Sequence, residues 1–366
     1  MSTHEAEAVD AGLGHEVGVS VAGATLARDA PMVRTGHFVS ACSPGARPRG
    51  PREEKVVATT SVPRGWDLGS GPQLSGQRFL VTGATSGLGL ATARALRSRG
   101  AHVTITARDG AKGEAVVASG AATDVLALDL ADLSSVHRAA ERVTEPYDVV
   151  ILNAGVMWTP YELTADGFEL QMGTNHLGHF AFAGLIRDRI ARRLVTVSSL
   201  YHRFGTFGDG STEEIRRRCR GLAPYDARRA YGDSKLANLL FTEELERRRR
   251  TAGAGFVAVA AHPGWTNTNL FDAAAAGGIV GRAASVVTRV LAQRAARGAL
   301  PTLCAATWPG LSGGEYFGPR GPGELRGAPT LVRAGTKAHD ERLAQNLWRV
   351  SEELTGVRWG PFDSTT

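Results

Sequence analysis

The stretch Ser75–Gly89, SGQRFLVTGATSGLG, decides the fold. A short apolar run, RFLVTG, stops at a turn carrying Gly83, Gly87 and Gly89, and a helical run opens directly behind it. Glycine permits a tight turn and lets the backbone come close to a pyrophosphate. The helix N-terminus behind it offers unpaired N–H groups and the positive end of a dipole. The spacing is G-x3-G-x-G, and alone it also describes an ordinary strand-to-helix turn. Its strand–turn–helix setting favours the phosphate reading.

Outward from this unit the pattern repeats. Apolar runs RFLVTG, HVTITA, DVLALD, DVVILNAG, RLVTVSS and GFVAVAAHPG alternate with helical runs near 87–99, 111–119, 132–144, 166–190 and 228–250. Short continuous apolar strands separated by helices predict an α/β fold. Its form is a single doubly wound parallel sheet with helices on both faces. GEYFGP reads as a short last strand and 337–355 as a terminal helix. The Ala-rich stretch 270–298 reads as a helical lid over the sheet edge. Residues 1–65, rich in Gly, Pro, Ser, Ala and Arg without periodicity, read as a disordered leader before one oxidoreductase-sized domain, 66–366. A start at Met32 or later fits the same reading.

Composition narrows the classes. No run approaches the roughly 20 apolar residues of a membrane helix, and the N-terminus lacks the basic and apolar regions of a signal peptide. Cys42, Cys219 and Cys304 are scattered, with no metal, redox or disulfide spacing. A reducing cytoplasm is the simplest setting to expect. The net charge of +6 comes from 42 basic residues, 38 of them arginine, whose densest runs, EEIRRRCR and ELERRRR, sit beside acids. No nucleic-acid motif accompanies the charge, so no nucleic-acid partner is expected.

Tyr231 and Lys235 in RAYGDSKLANLLF carry the chemistry. Six tyrosines and four lysines in 366 residues would yield only about 0.07 such ordered pairs by chance, so the spacing asks for a cause. Four residues apart, they share a helix face. A neighbouring ammonium favours phenolate and is expected to lower the tyrosine pKa. That suits proton exchange with a carbonyl oxygen while hydride moves at carbon. The bland alternative is a packed tyrosine and a surface lysine. Ser198 and Ser199 close a strand at the ligand-binding edge of the sheet, where a hydroxyl could steady an alkoxide or simply cap a turn. Asn175 sits inside a helix, where asparagine is disfavoured. It either holds a water or carbonyl or is a satisfied helix residue. At the end of the second strand, Arg108 suits the 2′-phosphate of NADP. Asp109, two positions late, leaves NAD as the less favoured choice.

Together these pieces resemble the short-chain dehydrogenase/reductase family. TGATSGLG, LDL, LNAG, TNHLGHF, VTVSS, YGDSK and HPGWTNT occur in family order over about residues 75–355. NHLGHF and AYGDSKLANLLF are most similar to the branch of retinol-dehydrogenase-like and protochlorophyllide-reductase-like enzymes. The resemblance implies Tyr231 as acid/base, Lys235 as ribose holder and pKa modifier, Ser199 (with Ser198 as fallback) as carbonyl-orienting residue, and Asn175 as relay residue. It implies a cofactor bound by Gly83, Thr85, Ser86, Gly87, Leu88, Gly89, Arg108, Asp129, Leu130, Asn153, Ala154, Gly155, Tyr231, Lys235, Pro263, Gly264, Thr266 and Thr268. Pairing into a homodimer is common in the family. Three departures stand out. Leu152 replaces a frequent asparagine, and the 32 residues from Ser199 to Tyr231 imply an inserted loop at 203–226. Ala237 stands where pigment reductases carry cysteine.

The expected activity is hydride transfer between NADP(H) and a carbonyl or secondary alcohol. A regulatory cofactor-binding protein on the same fold and a C=C reductase are the alternatives. His176 and His179 read as helix packing rather than metal ligands, since a zinc site needs three or four arranged donors. Met157 and Trp158 read as pocket lining or as core, and Trp265 and Phe271 as the approach to the lid.

Overall fold

A computed structural model describes residues 62, 65–71, 73–265 and 295–360. Eight strands form one sheet in the order β3-β2-β1-β4-β5-β6-β7-β8. They are β1 (Arg78–Val81), β2 (His102–Ala107), β3 (Asp124–Ala127), β4 (Tyr147–Leu152), β5 (Ile190–Val197), β6 (Val257–Ala261), β7 (Tyr316–Pro319) and β8 (Pro329–Leu331). All neighbours run parallel except β7 and β8, which are antiparallel. The expected doubly wound sheet is present. The antiparallel edge strand is an addition that three residues containing a proline do not announce.

Side chains alternate across the sheet. Phe79 and Val81, Val149 and Ile151, Val195 and Val197, and Val259 and Ala261 enter one core. That core is covered by α1 (Gly87–Ser98), α2 (Gly110–Ala118), α8 (Ala295–Gly298) and α9 (Leu300–Thr307). Leu80, Val150, Leu152, Leu194 and Ala258 enter the opposite core. There they meet α3 (Leu133–Glu141), α5 (Gly178–Leu185), α7 (Ala227–Ala252) and α10 (Glu341–Thr355). Strands buried on both faces explain the continuous apolar runs in the sequence. Each of the valine, leucine, isoleucine and phenylalanine side chains contributes about 1.5–3 kcal/mol by leaving water.

The helix expected at 166–190 is broken. Glu169 caps α4 (Leu170–Met172) by accepting from the Gln171 and Met172 amides. A π turn, Gly173–Leu177, follows and leads into α5. The backbone is tight here: a Cβ on Gly178 would lie 2.3 Å from the Leu130 carbonyl oxygen. The supposed loop 203–226 contains α6 (Thr212–Cys219), capped by Ser211, which accepts from the Glu214 amide at 3.2 Å. The pair Ser211 and Glu214 is a capping-box signal visible in sequence. The terminal helix starts at Glu341 because Asp340 caps it, and a 3-10 turn, Thr336–His339, precedes it.

Val62, within the segment assigned to the leader, is buried in the first core, and its carbonyl accepts from Arg320 Nη2 at 2.8 Å. The remainder of 1–61 and the lid segment 270–294 lie outside the described residues, as do Thr266, Thr268 and Phe271. Among the described residues, no helix is long and apolar enough to cross a membrane.

The arginine runs are paired locally. Arg247 and Arg248 bond Glu244, and Arg249 and Arg250 bond Glu246. Arg216, Arg217 and Arg218 meet Glu213, Glu353, Glu214 and Asp233.

Candidate active site

A cleft of about 270 Å³ opens at the C-terminal ends of β1, β2, β4 and β5. This is where a doubly wound sheet binds ligands. Its lining brings together Gly83, Thr85, Ser86, Gly87, Leu88, Gly89, Arg108, Asp129, Leu130, Asn153, Ala154, Gly155, Tyr231, Lys235 and Pro263. Thr106, Ala107, Leu128, Val156, Thr174 and Val197 join them without having been anticipated.

The glycine turn is sterically required. Gly83 has φ 63°, and a Cβ there would lie 2.7 Å from Ala154. A Cβ on Gly89 would lie 2.5 Å from the Gly83 carbonyl oxygen. Ser86 precedes α1 in extended geometry, and its side chain makes no capping hydrogen bond. The first-turn residues Gly87, Leu88 and Gly89 line the cleft, and a helix N-terminus is suited to an anion. At the end of β2, Asp109 is committed elsewhere: it caps α2 by accepting from the Lys112 amide, and Lys112 holds its carboxyl below the usual range. Arg108 is exposed on the cleft rim. Asp129 Oδ1 accepts from the Ala131 amide at 2.9 Å, which fixes the turn presenting Asp129 and Leu130.

A hub absent from the sequence reading sits beneath. Thr82 Oγ1 accepts from the amides of Asn153 and Ala154, both at 2.9 Å. Its own proton then goes to His179 Nε2, 2.8 Å away. His179 must accept there, so its proton sits on Nδ1 and is donated to the Asn175 carbonyl at 3.1 Å. Burial pushes the His179 pKa down to about 4, consistent with this neutral ring. His176 is buried too and bonds Ser351 at 2.9 Å. Replacing His179 with phenylalanine leaves the Thr82 hydroxyl only the Ile151 carbonyl, 3.4 Å away, as acceptor, and urea unfolding should show a loss of about 1 kcal/mol. An unchanged midpoint would remove the hub.

Asn175 lies on the π turn, fully buried. Its Nδ2 donates to the Val156 carbonyl and the Ser234 hydroxyl, and its Oδ1 accepts from the Val156 amide. It holds the backbone beyond Gly155 from both sides. A Cβ on Gly155 would meet Asn175 Oδ1 at 3.0 Å and Lys235 Nζ at 3.4 Å.

α7 begins where Asp226 accepts from the Arg229 amide, and it presents Tyr231 and Lys235 one turn apart. Lys235 Nζ donates to the Val197 carbonyl at 3.1 Å, and burial lowers its pKa to about 8. Burial also pushes the Tyr231 phenol up to about 12, opposed by the Ser199 hydroxyl and reinforced by Tyr201. The expected acidification of the phenol by lysine is therefore absent. Nζ lies 5.6 Å from the tyrosine ring centroid and is turned to Val197, so desolvation governs. Of the two serines, Ser198 lines the cleft and donates to the Lys235 carbonyl at 2.8 Å, and Ser199 is the one whose hydroxyl holds the phenol pKa down.

Asp233, between tyrosine and lysine on α7, anchors the inserted segment. It accepts from the Thr206 amide at 2.6 Å and from Arg218 at 2.8 Å. Burial still raises its pKa to about 6. Met157 is core, whereas Trp158 takes φ 56°, rare for a bulky residue, and meets Tyr201 edge-on at 5.4 Å. Tyr201 in turn lies 5.7 Å from the Tyr231 ring. Gly264 (φ 71°) donates its amide to His262 Nδ1 at 3.2 Å.

Comparison with known proteins identifies the family. A short chain dehydrogenase family model matches residues 77–208. Retinol dehydrogenase 12 from Homo sapiens is 36% identical over 303 residues, covering 78% of this chain and 89% of the relative. The chain belongs to the short-chain dehydrogenase family. As such it is an NAD(P)-dependent oxidoreductase. A crystal structure of an uncharacterized protein from Mycobacterium paratuberculosis matches this dehydrogenase with TM-score 0.68 and 41% identity. The match covers 80% of this chain and 98% of the other. A short chain dehydrogenase from Burkholderia cenocepacia, solved in complex with NADP, matches with TM-score 0.50 and 25% identity over 67% and 96% of the two chains.

Proposed function

We propose that this dehydrogenase moves hydride between NADP(H) and the carbon of a carbonyl or secondary alcohol, with Tyr231 giving or taking the oxygen's proton. The observation that carries the reading is that the buried Tyr231 and, one helical turn on, the buried Lys235 line the same cleft as the glycine turn.

The cradle fits a dinucleotide. Gly83, Thr85, Ser86, Gly87, Leu88 and Gly89 would hold the pyrophosphate. Asp129 and Leu130 would hold the adenine end, and Asn153, Ala154 and Gly155 its ribose. Lys235 would hold the other ribose, and Pro263 and Gly264, with Thr266 and Thr268, the carboxamide. The bound nicotinamide supplies or receives the hydride. The chain's own part is proton management. With its pKa near 12, Tyr231 keeps its proton at neutral pH and is set to donate it to a carbonyl oxygen. The Ser199 hydroxyl steadies that oxygen as charge develops. Asn175 fixes the 155–156 backbone that borders Lys235.

NADP is favoured over NAD because Asp109 is spent on capping α2 while Arg108 is exposed at the rim. Arg108→Ala should weaken NADPH binding by roughly tenfold or more, the value of a hydrogen bond to a charged group, and leave NADH unchanged. Equal loss for both cofactors in a fluorescence titration would refute the assignment.

Resemblance to retinol dehydrogenase 12 and the edge formed by Trp158, Tyr201 and the 69% exposed Phe204 beside Tyr231 favour apolar aldehydes and allylic alcohols as first substrates. The free thiols Cys219 and Cys304 are compatible with a reducing compartment, with cytoplasm the simplest. Following NADPH consumption across aldehydes, ketones and quinones tests the reading. Tight binding with no turnover on any of them would favour a regulatory cofactor-binding protein.

A further inference from the structure

A loop outside every motif discussed so far closes on the cofactor-side turn. It runs from Arg320 to Gly327, pinned by Arg320 N to Ala328 O at 2.8 Å and by Gly321 N to Arg326 O at 2.9 Å. Glu324 in this loop has φ 59°, a left-handed value that costs any residue with a Cβ, and Gly323 beside it has φ 62°. Glycine would sit at 324 without strain. Strain of this kind persists where the surroundings enforce it, and it marks places where a side chain is being aimed.

The aim is clear from the partners. Glu324 Oε1 accepts from Arg203 Nη2 at 2.9 Å. Its Oε2 lies 3.1 Å from His262 Nε2. His262 Nδ1 already accepts the Gly264 amide, so the ring proton is on Nε2 and is donated to Glu324. The loop backbone adds a second tie, with Trp265 N donating to Leu325 O at 2.8 Å. There is no slack: a Cβ on Gly264 would lie 2.4 Å from that same carbonyl oxygen. Arg203 belongs to the 3-10 turn Leu200–Phe204 that Ser199 caps. Pro263 lines the cleft beside Tyr231 and Lys235.

We propose that Glu324 is a positioning residue that locks the His262–Trp265 turn to the Ser199–Phe204 turn and so sets the geometry of the cofactor's reacting end. This rests on the function proposed above. The carboxylate does not touch the reacting atoms. It fixes the tautomer of His262, which fixes the Gly264 amide and hence the Pro263 wall, while Arg203 ties the same carboxylate to the serine side. Glutamine cannot reproduce this. With one acceptor oxygen, it must turn its amide N–H₂ toward either Arg203 or the His262 donor, and one tie is lost.

The test uses the full chain and NADPH as probe. Glu324→Gly removes the acceptor of the buried His262 N–H and relieves the left-handed backbone, two effects of opposite sign and similar size, so its melting temperature should stay within a few degrees of the parent. NADPH affinity, read by fluorescence titration, and turnover with a carbonyl substrate should nevertheless fall roughly ten- to hundred-fold, the scale of small misplacements at a reacting centre. KM for the carbonyl substrate should move far less. Glu324→Gln should fall between glycine and parent. A stable Glu324→Gly that binds and turns over like the parent overturns the proposal. A larger drop in melting temperature that accompanies the lost binding also overturns it, since the role is then folding. A parent chain that binds no NADPH at all sinks the functional reading instead, and the titration of the parent separates these results.

Discussion

Tyr231→Phe should lower turnover by roughly 10²–10⁴-fold, the usual range for a lost general acid or base, while NADP(H) affinity stays near the parent value. The phenol is buried at 6% exposure, so the change removes one hydroxyl and leaves the ring among the same neighbours. Tyr201 still packs at 5.7 Å, and Lys235 keeps its bond to the Val197 carbonyl. Ser199 still accepts from the Tyr201 amide at 3.2 Å, so its turn is retained. The fold and cradle are thus undisturbed, and the only group removed is the hydroxyl proposed to pass the proton. Single-turnover and steady-state rates with one aldehyde, together with an NADPH titration, give the answer. Turnover within a few-fold of the parent would reject Tyr231 as proton donor. If binding is lost together with rate, the tyrosine serves the cofactor more than the proton.

How far the sequence led depends on the range of the interaction. The strand–turn–helix unit at Arg78–Ser98 was legible because its signals are adjacent: an apolar run, three glycines and an amphipathic helix. The arginine pairs on α7 were legible for the same reason, since Arg247–Arg250 reach Glu244 and Glu246 three or four residues back. The Thr82–His179 contact joins residues 97 apart, and nothing in either neighbourhood reports it. His179 looked like one of a packing pair with His176. Only the lone-pair count at Thr82 separates the two. The same holds for Glu324, 62 residues from His262 and 121 from Arg203. The π turn at Asn175 follows from glycines pressed against Leu130 and Thr164, and those surfaces are not local. The pKa argument failed for a related reason. Spacing of four residues places two groups on one helix face, but burial decides their charges, and burial belongs to the whole fold.

That failure leads to a second large effect, in which activity and stability move in opposite directions. Lys235→Met should abolish most NADP(H) binding and turnover yet leave the protein more stable at pH 7. The lysine is 4% exposed, and burial takes its pKa from 10.5 to about 8, so the folded chain keeps a cation it would rather neutralise. A shift of that size corresponds to about 3 kcal/mol. Methionine fills similar apolar volume without the charge. The Val197 carbonyl is not orphaned, because Asn238 Nδ2 also donates to it at 3.1 Å. The sign follows from linkage. Below pH 8 lysine is charged in both states, and the full penalty applies. Between 8 and 10.5 the folded protein releases the proton while the unfolded chain keeps it, so the parent gains stability as pH rises. Urea melts of parent and variant should therefore differ most near neutrality and converge toward pH 10.5. The ammonium that costs the empty fold this energy is the group that an anionic cofactor would compensate, so NADP(H) should stabilise the parent and not the variant. Parallel melting curves at every pH would show that Lys235 is not the buried cation described here, and retained turnover in the variant would remove it from the site.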